Sequence, residues 1–451
     1  MILINHVKAG CFLKPKIIKI SDGINLNIIP EDRFKTCYLS VNILFPTSKE
    51  TAAKNALLAR VLKCGTKSYP NIQSISEILD MLYGSSISAG TSRIGDIQVM
   101  SFSSFPLESS YADGFDVLKG VIGVLREMLF DPYTENGLLS KKYVEAEKKI
   151  LTDRIRAQKN NKDAYAIQRC LEEMCKGDVY AIPPTGFEEQ VKEITPKSLT
   201  EYYKTAFCDK QIEIYYIGND DQDSVTEKIR ELFFGIERKK VNVPKTVPLT
   251  APKSEVRRIT EPLPVNQGKL CIGFYTGQTL NSPDYLKFAL FCELFGGSPL
   301  SKLFMNVRER LGLCYYCRAL PDSQKGLMAV SCAISNENKE LAEKEILLQL
   351  QKCKDGDITE TELDAAKKSL INAFAELSDS PDGIKAWYFG RSLSKRDESP
   401  EEAAEYVYRL TADDVKTAAE SVTIDTVYFL YGSGESGGTE DDESENEEGE
   451  I

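Results

Sequence analysis

Residues 56–66 read Ala56-Leu57-Leu58-Ala59-Arg60-Val61-Leu62-Lys63-Cys64-Gly65-Thr66. The mostly apolar run, followed by a glycine, predicts a helix over residues 56–62. An alanine side chain carries no lone pair and a guanidinium stays protonated, so Ala56, Ala59 and Arg60 cannot ligate a metal ion or accept a proton. The segment therefore has no chemistry of its own for hydrolysing a peptide bond.

The composition bounds the class of protein. A chain of 451 residues is too long for one core and predicts two to four domains. No run of about 18 apolar residues occurs, so we expect no transmembrane helix and no membrane partner. The one histidine, His6, excludes a zinc site with two imidazoles, and it leaves serine or cysteine hydrolase chemistry without its usual base.

The N-terminus and the cysteines predict a cytoplasmic location. Residues 1–8 place an apolar cluster before the first charge and show no cleavage signature, unlike a secretory signal. The 12 cysteines follow no pattern, and several lie inside apolar runs, as is typical of free thiols in a reducing compartment. Cys314 and Cys317 form a lone C-x-x-C, which we interpret as packing rather than as a redox or metal site.

The net charge of −12 comes mostly from the C-terminus. Residues 435–450 contain nine acidic and no basic side chains, and subtracting these nine leaves about −3 for the rest of the chain. We predict that residues 433–451 form a disordered acidic tail. No basic stripe follows the chain, so we expect no nucleic-acid partner.

Two landmarks indicate a duplication. Thr411 begins a capped-helix pattern 216 residues after the similar pattern at Thr195, and a strand pattern ending at Gly432 follows a similar one at Gly218 by 214 residues. This spacing predicts a tandem repeat of one α+β unit. We place the domains at 1–237 and 263–432, with a proline-rich linker at 238–262 between them.

Local patterns predict the elements of the first half. The segments 23–30, 36–45 and 211–218 are rich in β-branched and aromatic residues and are predicted strands. A capping box that begins at Ser74 predicts the start of a helix, and one long helix is predicted near residues 138–174.

The 56–66 segment resembles the active-site helix of the insulinase/pitrilysin-type (M16) zinc peptidases, in which the pattern is His-x-x-Glu-His. The resemblance places Ala56 and Arg60 at the two histidine ligand positions and Ala59 at the base. In active members a glutamate seven residues after another glutamate is the third ligand. Here Arg154 follows Glu147 at that spacing. The resemblance thus implies a protein without metal or other cofactor.

The same resemblance implies the fold. Members of the family contain homologous α+β domains, each an antiparallel-rich sheet covered by helices, that face one another as a clamshell. Residues 83–92 are similar to the family's Gly-x-x-x-Asn-Ala-x-Thr-Ser strand, with Ser88 where asparagine is usual. If Arg60 and Arg154 face inward, we expect Glu147 or Asp153 to neutralise them, because unpaired buried charge is costly.

One motif of the family is intact in the second half. Residues 301–315 resemble the pattern Ser-x-Leu-Phe-x-x-Val-Arg-Glu-x-x-Gly-Leu-x-Tyr, which ends at Tyr315 and contains Arg308. In the family this arginine and tyrosine bind substrate across the clamshell from the zinc. A guanidinium can bind a carbonyl or carboxylate, and a phenol can donate to a developing oxyanion. Alternatively, Arg308 forms a salt link with Glu309 and Tyr315 only packs.

The resemblance implies a division of labour. Some family members are heterodimers in which one subunit brings zinc and the other brings the arginine and tyrosine. We therefore predict a non-catalytic subunit that pairs with a zinc-bearing homologue and contributes Arg308 and Tyr315 to a chamber for peptide or protein substrates. Residues 374–388 further resemble a small bacterial zinc-less group associated with elongation factor P modification, which favours a bacterial, cytosolic protein.

Two alternatives remain open. The chain is a stand-alone module that binds extended peptides by strand addition near residues 88–91 without cleaving them, or it is a purely structural subunit. Retention of Arg308 and Tyr315 favours the paired peptidase over the structural role.

Overall fold

The chain folds around two β-sheets, one in each half of the sequence. The structure is a computed structural model that describes residues 14–249, 255–394 and 396–432. His6 and the predicted acidic tail at 433–451 therefore lie outside the described residues. In the part of the chain that is described, no helix is long and apolar enough to cross a membrane.

The first half contains eight strands and eight α-helices among the described residues. The strands are β1 (Lys16–Ser21), β2 (Ile24–Pro30), β3 (Tyr38–Pro46), β4 (Ser88–Ile94), β5 (Ile97–Ser104), β6 (Thr134–Glu135), β7 (Leu138–Leu139) and β8 (Gln211–Gly218). The helices are α1 (Ala52–Leu62), α2 (Ile72–Met81), α3 (Val117–Phe130), α4 (Lys141–Ala157), α5 (Lys162–Met174), α6 (Glu188–Glu193), α7 (Pro196–Ala206) and α8 (Gln222–Leu232).

The second half repeats this alternation with fewer strands. Its strands are β9 (Arg257–Leu263), β10 (Gly268–Tyr275), β11 (Cys314–Asp322), β12 (Leu327–Ile334) and β13 (Thr423–Gly432). Its α-helices are α9 (Tyr285–Cys292), α10 (Lys339–Asp355), α11 (Glu360–Glu376), α12 (Pro381–Ser392), α13 (Pro400–Arg409) and α14 (Ala412–Glu420). Two π-helical segments, Glu293–Gly297 and Phe304–Arg310, lie between α9 and β11.

The strand order confirms the predicted tandem repeat. The first sheet runs β1-β2-β8-β3-β5-β4, and the second runs β11-β12-β10-β13-β9. Read from its other edge, the second sheet is β9-β13-β10-β12-β11, which has the topology of β2-β8-β3-β5-β4. In both sheets the first of these pairs, β2 with β8 and β9 with β13, is parallel, and the remaining pairs are antiparallel. One α+β unit therefore occurs twice.

The predicted landmarks occupy equivalent places in the two units. The Thr195 hydroxyl accepts a hydrogen bond from the Ser198 amide at the start of α7, and Thr411 caps α14 in the same way through Asp414. Such caps satisfy amides that have no partner inside the helix. The strands that end at Gly218 and Gly432 are β8 and β13. Each of them forms the parallel pair of its sheet, β8 with β2 and β13 with β9.

In each unit, one helix packs on the sheet of the other unit. Helix α5, from the first half, packs on the second sheet, where Cys170 of α5 lies in one apolar cluster with Cys271 and Tyr428. Helix α12, from the second half, packs on the first sheet, where the Phe389 and Tyr215 rings lie 5.7 Å apart at their centroids. Burial of such large side chains contributes about 1.5–3 kcal/mol each, so the exchange joins the two halves through their cores.

The predicted helix over residues 138–174 is wrong in its continuity. The structure breaks it into α4 and α5, and Asn161 caps the second helix by accepting a hydrogen bond from the Ala164 amide at 3.0 Å. An asparagine side chain competes with the helical backbone and favours such a cap. The break allows α5 to leave the first unit and pack on the second sheet.

Two smaller predictions also need correction. Helix α2 begins earlier than predicted, because Asn71 is its cap and Ser74 is the reciprocating partner rather than the start. The last part of the predicted linker 238–262 is strand β9, which pairs with β13 at the edge of the second sheet. An edge strand tolerates a proline such as Pro262, so the proline-rich composition did not exclude a strand there.

Candidate functional site

Helix α1 carries the positions at which the family pattern would place zinc. Ala56 and Ala59 are buried in the core of the first unit. Arg60, one turn after Ala56, donates a hydrogen bond from Nε to Glu147 Oε2 on α4 at 2.7 Å. The Arg60 side chain is 15% exposed and that of Glu147 is 8% exposed. A buried ion pair therefore lies beside residue 60, with the countercharge that we predicted for an inward-facing arginine.

A thiol completes this group, which we call the Arg60 cluster (Arg60, Cys64 and Glu147). The Cys64 Sγ lies 3.3 Å from the Arg60 carbonyl oxygen and 3.6 Å from Glu147 Oε1. Burial, and then the neighbouring Glu147 carboxylate, raise the pKa of the Cys64 thiol to about 12. Because the thiolate is the form that ligates metals and attacks carbonyls, Cys64 is inert at neutral pH.

Arg154 does not join the Arg60 cluster. Its side chain lies on the exposed part of α4, and Asp153 beside it is exposed as well. Glu147, two turns earlier on the same helix, is the residue of α4 that contacts the side chain of residue 60. The structure thus brings Arg60 together with Glu147 and leaves Arg154 at the surface.

These residues do not fit a zinc ion. Two alanines offer no donor atom, the Arg60 guanidinium repels a cation, and the Glu147 carboxylate is already paired. Within residues 14–249, 255–394 and 396–432, no group of three or more His, Cys, Asp and Glu side chains could hold a metal ion. The Arg60 cluster is therefore a structural ion pair.

The second candidate site lies on the π-helical segment Phe304–Arg310. Leu303 and Val307 on and beside this segment are fully buried and anchor it to the core of the second unit. Gly312 then reverses the chain into β11 with φ of +60°, a left-handed conformation that glycine adopts without strain. The Leu313 amide donates to the Val307 carbonyl oxygen at 3.1 Å and closes the turn. Short π-helical segments occur frequently at functional sites.

The structure brings Arg308 and Tyr315 together at this turn, and we call them the Arg–Tyr pair. The Arg308 Cζ lies 5.6 Å from the Tyr315 ring centroid and 4.5 Å from that of Phe304. Such cation–π contacts contribute about 0.5–1 kcal/mol each at exposed sites. The Tyr315 side chain is 75% exposed and that of Arg308 is 36% exposed. The guanidinium is therefore oriented by two rings while both polar groups remain accessible.

The packing alternative for these residues holds only in part. Arg308 Nε lies 3.5 Å from Glu309 Oε1, but an exposed ion pair of this kind contributes little energy. Tyr315 does not pack in the core. The contact of Arg308 with the Phe304 ring, which orients the guanidinium, was not predicted from the sequence. The four-residue spacing of Phe304 and Arg308 was the available signal, since residues four apart share one face of a helix.

An unpaired strand edge is the third feature of interest. Strand β4 lies at one end of the first sheet, where it pairs with β5 on one side only. Most of its side chains are half-buried, and Ser88 is exposed. An edge of this kind presents unpaired amides and carbonyls to which an extended peptide can add. The predicted strand-addition site thus lies at a true sheet edge.

Comparison with known proteins gives relatives over most of the chain. Residues 193–370 match the family described as the peptidase M16 inactive domain. The chain is 33% identical over 412 residues to the probable inactive metalloprotease YmfF of Bacillus subtilis, covering 91% of this chain and 96% of that protein. It is 26% identical over 317 residues to the uncharacterized zinc protease YmxG of the same organism, covering 67% of this chain and 73% of YmxG.

The fold has solved relatives as well. The crystal structure of a conserved protein from Enterococcus faecalis superposes with a TM-score of 0.87 at 25% identity and covers 94% of this chain and 100% of that chain. The crystal structure of a peptidase M16 inactive domain from Pseudomonas fluorescens superposes with a TM-score of 0.74 at 17% identity, covering 93% of this chain and 99% of that chain. The likeness therefore extends over both units.

Proposed function

The chain belongs to the M16 peptidase family as an inactive peptidase-like member, and from that premise we propose that it is the substrate-binding subunit of a two-chain peptidase. A zinc-bearing homologue supplies the metal and the base. This chain supplies Arg308 and Tyr315 to a chamber that the two subunits share. The domains that we predict at 1–237 and 263–432, and a bacterial cytoplasmic location, form part of this proposal.

The exposure of the Arg–Tyr pair is the observation that carries the proposal. A largely exposed tyrosine leaves the apolar surface of its ring uncovered beside an accessible hydroxyl, which suits contact with another molecule. Here Tyr315 is 75% exposed, while the segment that carries Arg308 is anchored by the buried Leu303 and Val307. Rigid anchoring below and open donors above are the properties of a preorganised binding site.

The chemistry of the pair suits a peptide carbonyl under attack. The guanidinium of Arg308 offers several donors in fixed geometry, and the Tyr315 hydroxyl offers one more that can follow the oxygen as charge develops on it. Neither group can activate water, and the Arg60 cluster offers neither a set of zinc ligands nor a free base, because the Glu147 carboxylate is paired with Arg60. The division of labour therefore requires a second protein to supply the nucleophile.

The strand edge supports a second candidate, a stand-alone peptide-binding protein. Strand β4 can accept an extended peptide as an added strand, and its exposed residues are Ser88 and Ser92. In this role the chain binds without cleaving, and Arg308 is not needed for affinity. The two candidates therefore differ in whether a zinc-bearing partner is required.

A variant series in the mixture with the closest zinc-bearing homologue from the same genome tests the proposal. We expect Arg308→Ala to lower kcat for unstructured fluorogenic peptides by about 10²–10³-fold, the loss typical of an oxyanion donor. Arg310→Ala is the matched control, because Arg310 lies on the same segment and pairs with Glu345 instead. Equal activity of the two variants would contradict the proposal. Tight peptide binding by the chain alone, unchanged in Arg308→Ala, would favour the second candidate.

A further inference from the structure

Strand β11 contains a bulge between two cysteines. Cys314 is paired with Ile334 of β12, and Cys317 is paired with Cys332. The two cysteines are three residues apart in β11, but their partners are only two residues apart in β12, so β11 contains one extra residue. Side chains alternate along a regular strand, and residues three apart point to opposite faces. The extra residue cancels this alternation and returns Cys314 and Cys317 to the same face of the second sheet.

The bulge gathers three thiols. Cys317 and Cys332 are opposed residues on neighbouring strands, and both are buried. Cys317 therefore lies beside Cys314 along β11 and opposite Cys332 on β12, with all three on one face of the second sheet. The pattern C-x-x-C that we interpreted as packing therefore places two thiols on one face of the sheet, with a third thiol opposite Cys317.

Cys314 is the accessible member of the group. Among the described cysteines only Cys208 and Cys314 are not buried. A hydrogen bond from Cys317 lowers the pKa of the Cys314 thiol; burial opposes this effect, and the nearby Arg308 guanidinium adds to it. At Cys353, by contrast, burial is the main cause, and it raises the pKa of that thiol to about 12. Since the thiolate is the reactive form, Cys314 combines accessibility with a lowered pKa, which no other cysteine in the described part of the chain is shown to do.

We propose that Cys314 and Cys317 form a dithiol that a peroxide oxidises to a disulfide. The Cys314 thiolate attacks one peroxide oxygen, the O–O bond breaks, and a sulfenic acid forms on Cys314 as water or an alcohol leaves. The Cys317 thiol then attacks that sulfur, the S–O bond breaks, and the hydroxide that leaves takes up the thiol proton and departs as water. The two thiols lose two electrons and two protons in total, and the peroxide accepts them.

Disulfide formation affects the Arg–Tyr pair. A disulfide holds its two Cα atoms within about 7 Å of each other, and Tyr315 and Tyr316 are the residues enclosed between the cysteines. The Tyr316 hydroxyl is hydrogen-bonded to Asp163 on α5, which restrains that residue. The change in backbone is therefore expected on the Cys314–Tyr315 side, next to Arg308. An effect of the disulfide on peptidase activity rests on the proposed function, whereas formation of the disulfide does not.

Peptide mapping of the full chain tests the dithiol directly. Trypsin cleaves after Arg310, Arg318 and Lys325, so residues 311–318 carry both cysteines in one peptide while Cys332 lies in another. The reduced chain is treated with hydrogen peroxide, quenched with N-ethylmaleimide and digested. We expect the doubly labelled 311–318 peptide to be replaced by an unlabelled peptide that lacks two hydrogens, and thioredoxin or dithiothreitol to restore both labels.

Two variants keep the test decisive. In Cys317→Ser, Cys314 should stop at the sulfenic acid, which dimedone traps, and no internal link should form. Cys208→Ser, the matched control at the other accessible cysteine, should oxidise like the unmodified chain. A link between the peptides that contain Cys317 and Cys332, direct conversion of Cys314 to sulfinic acid in the unmodified chain, or equal oxidation of Cys208 and Cys314 would each overturn the proposal. These outcomes are read by mass and do not depend on a partner subunit.

Discussion

Arg60 and Glu147 form a hydrogen-bonded ion pair of 2.7 Å between helices α1 and α4. The two residues are 87 positions apart in sequence and meet only in the folded chain. Both side chains are largely buried, so each charge has lost water contacts. Their mutual attraction offsets this desolvation cost, which would remain uncompensated for either charge without the other. The pair thus joins α1, the helix on which the family pattern would place zinc ligands, to α4.

Removal of the Glu147 charge is expected to destabilise the chain. In Glu147→Gln the Arg60 guanidinium loses its countercharge, and we expect a loss of about 2 kcal/mol or more in the free energy of unfolding. Glu145→Gln is the control, since Glu145 lies on the same helix with its side chain exposed, and should stay within about 0.5 kcal/mol of the unmodified chain. Urea unfolding followed by circular dichroism measures both. Equal transitions would show that the pair contributes nothing.

Restoring two histidines should create a zinc site that uses Glu147. Ala56→His with Arg60→His places two imidazoles one turn apart on α1, and Glu147 already contacts the side chain of residue 60. We expect the double variant to bind about one equivalent of zinc, measured by competition with a chromophoric chelator.

The third ligand is identified by two further changes to that double variant. Adding Glu147→Gln should weaken zinc binding by more than the roughly 10–100-fold that loss of an outer-shell partner costs. Adding Arg154→Glu should leave zinc binding nearly unchanged, because residue 154 lies on the exposed part of α4. If Arg154→Glu strengthened zinc binding and Glu147→Gln left it unchanged, residue 154 would be the third ligand position, as the sequence pattern predicts.

The turn beneath the Arg–Tyr pair should be sensitive to its backbone conformation. Gly312 has φ of +60° and nothing within 4 Å of an added Cβ, so Gly312→Ala adds strain without a clash. We expect a loss of about 1 kcal/mol. Gly390→Ala is the control, because Gly390 lies inside α12 with open space around it and should be neutral or slightly stabilising. Thermal unfolding measures both, and equal shifts in Tm would contradict the conformational assignment at Gly312.

The reactivity of Cys314 should depend on its two neighbours. The hydrogen bond from Cys317 is the main reason for the lowered pKa of Cys314, and the Arg308 charge contributes in the same direction. Removal of either one favours the protonated thiol, so we expect Cys317→Ala, and to a lesser extent Arg308→Ala, to raise that pKa. The rate of iodoacetamide alkylation of Cys314 against pH measures it, with Arg310→Ala as control. A pKa unchanged in both variants would contradict the arrangement of the thiols.

Much of the fold follows from local pattern. The capped helix starts at Thr195 and Thr411 and the strands ending at Gly218 and Gly432 depend on nearby residues only, and they were sufficient to predict the repeat. The break at Asn161 was not predicted because its benefit is the packing of α5 on the other unit's sheet, which no local pattern records.

The candidate site was predictable to a similar degree. Arg308 and Tyr315 belong to a contiguous motif and were identified from it, and the structure places them in contact. The bulge at Cys314 could not be predicted, because register is a relation between β11 and β12 rather than a property of either strand. For the same reason the sequence left both Glu147 and Asp153 as candidate partners for Arg60, and only the packing of α1 on α4 identifies Glu147.

The peptidase rate of the chain mixed with its closest zinc-bearing homologue, compared with the rate of each protein alone, tests the central claim most directly. Both proteins are assayed at equal concentration on the same unstructured peptides, and the mixture is examined for a complex by size-exclusion chromatography. The account predicts a complex, and cleavage by the mixture that is far faster than the sum of the two separate rates. A homologue that cleaves equally fast alone, or a mixture that forms no complex, would contradict it.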